Sequence, residues 1–260
     1  MLAVPGSPWE IPLLAVPASH PSDRWLARLI EAPLPGVRRE LEARDFWFLT
    51  AEEIHRREPV LAAAAELIDL VPSLAAIVRQ HVRHVTLLRA QDGYDISHSE
   101  PRWPDWIFVS VPETSSDVSA LRAADNIVHE AMHLQLTQLE LVQPLVDDRQ
   151  TMLWSPWKEE PRDLQGNLHG LYVFRCVGEF LRRLQERDRL TGSAAAWIKQ
   201  RLSDIEQEVS LLPLGDLASG LTGEGRLFLS SLAGGSMSRA PQNAAASGEQ
   251  KKNFPTGGEV

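Results

Sequence analysis

The feature that most constrains this chain is a stretch without Pro or Gly, residues 115–143, with His129-Glu130-Ala131-Met132-His133 at its middle. Ser115-Ser116-Asp117 offers a helix N-cap, and Val118, Leu121, Ile127, Val128, Met132, Leu136, Leu139 and Val142 recur at roughly helical spacing. Pro144 supplies the stop. One long helix is predicted, and on a helix positions i and i+4 share a face, so both imidazoles can reach one divalent ion while Glu130 lies beside them. The third ligand is open on spacing alone. The metzincin extension fails, because Leu136 and Leu139 stand where it needs Gly and His. Glu140 is two turns past His133, too far along the axis to meet one ion with both imidazoles. Glu159, Glu160, Glu179 and His169 remain.

The rest of the chain reads as mainly α with a small β part, an α+β domain with a small sheet beside the metal-bearing helix. Five prolines in the first 21 residues suggest an extended arm. A short helix is predicted over 22–32, ended by Pro33-Leu34-Pro35-Gly36. Another is capped by Thr50 with Glu53 three residues on, and Pro59 and Pro72 each open a further helix. Strands are predicted over 84–90 and 106–111, around a loop whose His98, Arg102, Trp103 and Trp106 could line a substrate cleft. A sheet edge there would suit an extended peptide. His81 and His84 lack an accompanying carboxylate or Cys and read as ordinary histidines. Residues 153–162, rich in Pro and Trp, form a folded loop, and amphipathic helices follow over 164–188 and 194–211. The expected organisation is an arm and helical lobe (1–83), a metal-binding core (84–233), compact with that lobe, and a disordered tail (234–260).

Net charge is −9 with no Lys/Arg block, which argues against a nucleic-acid partner. The single cysteine, Cys176, excludes an internal disulfide framework and suits a reducing compartment. No charged segment followed by an apolar run opens the chain, and nowhere do eighteen apolar residues run together. A cytoplasmic protein with no membrane association is expected.

The HExxH pentapeptide, then Ser155-Pro156-Trp157-Lys158 with Pro161-Arg162, then Gly166-Asn167-Leu168-His169-Gly170, together resemble the HExxH-type α-ketoglutarate-dependent peptide β-hydroxylases that modify ribosomally made peptides. The resemblance spans about residues 103–184. It implies non-haem Fe(II) held by His129, His133 and His169, with 2-oxoglutarate and dioxygen as cosubstrates and a precursor peptide as substrate. It places Ser155, Lys158 and Arg162 in the cosubstrate-binding motifs, Arg162 being the first choice for the distal carboxylate because its planar fork matches one. His98, Trp103 and Trp157 become candidates to contact substrate. Lys158 stands where Arg is expected, which keeps the charge but not bidentate binding. Two other readings use the same residues: a zinc-dependent peptidase with Glu130 as general base, and a non-catalytic helical scaffold that binds peptides.

Overall fold

The computed structural model describes residues 25–90, 94–187, 190 and 192–234. The expected arm and tail lie outside them, apart from Gly234. The chain is mainly α with a small β component. After a 3-10 turn, Ala27–Leu29, come α1 (Pro35–Glu42), α2 (Ala51–Asp69), α3 (Pro72–His81), β1 (His84–Leu88), β2 (Ser97–Ser99), β3 (Trp106–Ser110) and α4 (Asp117–Val142). A hairpin, β4 (Met152–Ser155) and β5 (Glu160–Asp163), leads to α5 (Leu164–Gln185), α6 (Gly192–Ser210), α7 (Leu214–Ser219) and α8 (Gly223–Gly234).

Several elements depart from the sequence-based expectation. The helix predicted over 22–32 reduces to the 3-10 turn among its described residues, and Pro35, read as a stop, is the first residue of α1. Proline fits a helix start, where its missing N–H has no partner to lose. Pro59 does not divide two helices but lies inside α2, whose start is secured by both halves of the Thr50/Glu53 capping box. The stretch read as a loop over 153–162 is mostly the β4–β5 hairpin. β2, α7 and α8 were not foreseen.

The main sheet has the order β1-β3-β2, with β1 parallel and β2 antiparallel to β3. Every residue of β3 is buried, whereas β2 is an edge strand. α4 runs beneath this sheet against β2 and β3, and α2, α3, α5 and α6 in turn pack on α4. Its apolar stripe, including Leu121, Ile127, Val128, Met132 and Leu136, is almost wholly buried in one cluster whose members run from Leu26 to Leu232. That burial leaves the opposite stripe, with Asp125, His129 and His133, to face a cavity between β2, the hairpin and the first turns of α5. Among the described residues, no helix is long and apolar enough to cross a membrane.

Candidate metal centre

The cavity measures about 1040 Å³, at the top of the ~300–1,000 Å³ range of small-molecule sites and so roomy enough for more than one ligand. His129, Glu130, His133, His169, Lys158, Arg162 and His98 all line it. His129 and His133 have ring centroids 4.9 Å apart, as i,i+4 neighbours should. His169 arrives from α5, its ring 5.7 Å from that of His133 and its Nδ1 3.4 Å from His133 Nδ1. Two nitrogens bound at about 2.0–2.1 Å to one ion, near the tetrahedral angle, stand about 3.4 Å apart. Burial holds His129 down at about 3, helped by the charges of Arg201 and Lys158. Burial also puts His133 well below the usual range, helped by His129, His169, Arg162 and Lys158. Both imidazoles are therefore neutral near pH 7, the state in which a ring nitrogen can bind metal. Donor type, protonation and the His133–His169 spacing fit a divalent ion. As they stand, however, no three His, Cys, Asp or Glu side chains among the described residues form a preformed metal-holding group.

Glu130 is 3% exposed and accepts a hydrogen bond from Ser99 Oγ at 2.5 Å. Burial pushes it up to about 6, against the hydroxyls of Ser97 and Ser99 and the charge of Lys158, which lower it. Its Oε1 lies 3.9 Å from His129 Nε2.

The three-part motif of the hairpin and α5 has a physical explanation. Buried Asn167 donates through Nδ2 to the carbonyls of Leu153, Arg162 and Asp163, stitching both strands to the helix. Asp163 caps α5 by accepting from Gly166 N–H at 2.7 Å. A Cβ on Gly166 would lie 2.9 Å from Asp163 Oδ1 and 3.2 Å from Arg162 Nε, so the glycine leaves room for the path of Arg162. A Cβ on Gly170 would run into the indole of Trp157. Lys158 and Arg162 thus reach the cavity, and neither side chain has a carboxylate partner among the described residues.

Three of the expected site residues, Ser155, Trp157 and Trp103, are not part of the cavity lining. Ser155 is fully buried with Oγ unpartnered and does not line the cavity. Trp157 is half-buried behind the site against Gly170, 5.4 Å from Phe174, which in turn meets the His129 ring edge-on. Trp103 packs on Phe108 in a second small cluster under the Arg102 guanidinium. Both tryptophans are amphipathic bulk that the fold needs to cover apolar surface. His98 does line the cavity, stacked on Phe46 with its Nε2 2.7 Å from Glu100. Of the other third-ligand candidates, Glu179 is paired with Arg182 and Arg183 on α5, while Glu159 is exposed at the hairpin turn with φ 52°. Glu160 is exposed on β5 at the cavity's edge. His81 is buried against Gln138, and His84 pairs with Glu31.

Sequence reasoning missed Trp197, Arg44, Asp125 and Arg201 on the wall. Only Asp125 carried a signal: it precedes His129 by one helical turn and so shares its face. No family model matches this chain, and no curated protein matches it.

Proposed function

We propose that this chain is a non-haem Fe(II)- and 2-oxoglutarate-dependent oxygenase that hydroxylates the β-carbon of a residue in a ribosomally made peptide. The observation that carries this reading is the pair of unpaired cations, Lys158 and Arg162, on the same cavity wall as three imidazoles. A hydrolytic site has no need of two positive charges that lack an ion-pair partner among the described residues, whereas a dianionic cosubstrate does. His129, His133 and His169 would hold the iron, which when bound supplies oxidative decarboxylation of the 2-oxo acid by dioxygen. Arg162 and Lys158 bind and orient the distal carboxylate. Ser99 pins Glu130 beside His129, where the carboxyl exchanges a proton near neutrality.

The edge strand supports a peptide substrate. Ser110 N–H donates to Ile96 C=O at 2.7 Å, so by alternation Ser97 and Ser99 direct their main-chain groups away from β3. Neither has a main-chain partner on that side among the described residues, and an extended peptide could pair there.

One observation favours the peptidase reading: a buried carboxyl raised to about 6 next to a metal-type histidine pair suits a general base. Succinate formation from 2-oxoglutarate under Fe(II) and air, lost in Arg162→Ala with Lys158→Ala, tests the oxygenase. Zinc-dependent, Glu130-dependent cleavage of a peptide library without succinate would contradict it.

A further inference from the structure

Glu140 stands seven residues beyond His133 on α4, ~10 Å along the axis, out of range of an ion shared by His129 and His133. α5 nevertheless brings His169 to it. His169 Nε2 lies 2.7 Å from Glu140 Oε2, and the same oxygen accepts from Gln165 Nε2 at 2.8 Å. The pair is sheltered, with side chains 12% and 10% exposed. A carboxylate only accepts, so the imidazole proton sits on Nε2 and the lone pair on Nδ1. That Nδ1 is the atom 3.4 Å from His133 Nδ1.

We infer that Glu140 is a positioning residue that fixes the tautomer and ring plane of His169, making Nδ1 the nitrogen offered to the metal. The inference rests on the three-imidazole reading above. Gln165, one turn before His169 on the same face of α5, clamps Glu140 in turn. A ligating imidazole held by an outer carboxylate is fixed in orientation and made a stronger base, and losing such a partner weakens metal binding. Glu140 acts through His169 and touches neither cosubstrate nor substrate.

Two readouts on the full chain test this. In metal-free protein, long-range ¹H–¹⁵N spectra of the imidazoles should show His169 as the Nε2–H tautomer in the wild type. Glu140→Gln, whose amide oxygen still accepts, should keep it, and Glu140→Ala should lose the preference. Calorimetric titration with Co(II) should show affinity falling about ten-fold in Glu140→Gln and towards a hundred-fold in Glu140→Ala. The Tm of metal-free Glu140→Gln should match the wild type, which separates positioning from general loss of structure. An Nδ1–H tautomer in the wild type, or unchanged Co(II) affinity in Glu140→Ala, would overturn the inference. Failure of the wild type itself to bind Co(II) would overturn the metal reading as well, and is told apart by that control.

Discussion

The two sides of the cavity treat positive charge differently. On the side built from β2, the turn after α1, the first half of α4 and the facing part of α6, every lining arginine has a carboxylate. Arg44 bonds Glu100, Arg122 grips Asp95 through two bonds of 2.7 and 2.9 Å, and Arg201 meets Asp125 at 3.0 Å. Just outside, Arg102 joins Glu100 and Glu40. Glu100, against the upward push of its burial, is held at about 2 by hydrogen bonds from Arg102, Arg44 and His98. On the hairpin side, Lys158 and Arg162 have no such partner among the described residues. Charges that the fold neutralises hold the fold together, and charges it leaves open are available to a ligand.

The largest expected effect lies on the paired side. Asp125 is buried, and burial raises it against the pull of Arg201. Asp125→Ala should cost about 3–5 kcal/mol in denaturant unfolding, because it strands the Arg201 charge. Acid comes next. His129 titrates near 3 in the folded chain and near 6.5 unfolded, so the unfolded state binds more protons between those values. Stability of metal-free protein should therefore fall as pH drops from 6.5 towards 3. Glu130, raised from 4.5 to about 6, works in the opposite sense, its contribution shrinking as pH rises across that window. A His129→Asn variant should flatten the acid limb in melts at stepped pH. Gly170→Ala should cost about 1–3 kcal/mol by forcing the Trp157 indole away. It should weaken 2-oxoglutarate binding too, since Lys158 is the next residue. Smallest is the effect of Arg162→Ala or Lys158→Ala on stability, within about 0.5 kcal/mol, while 2-oxoglutarate affinity drops. Destabilisation by Arg162→Ala as large as by Asp125→Ala would erase the contrast between the two sides.

The long helices were legible because α4, α5 and α6 each carry an apolar stripe that the fold buries. β2 was not, since Ser97-His98-Ser99 has no apolar alternation and owes its place to β3. The i,i+4 grammar put His129 and His133 together, but it says nothing of partners brought by other helices. Glu140 was set aside as a ligand from its distance along α4, and its actual neighbour, His169, is 29 residues away. Asp125 and Arg201 are separated by 76. The positions of Trp103 and Trp157 were not legible, because a large amphipathic ring covers a core as readily as it lines a cleft.

The most direct test of the central claim is anaerobic reconstitution of the protein with Fe(II) and 2-oxoglutarate, watching for the visible charge-transfer absorption of a chelated 2-oxo acid. The account predicts a band in the wild type that is lost in His169→Ala and requires more 2-oxoglutarate in Arg162→Ala. A wild type that binds Fe(II) without developing the band, or a band untouched in His169→Ala, would contradict it.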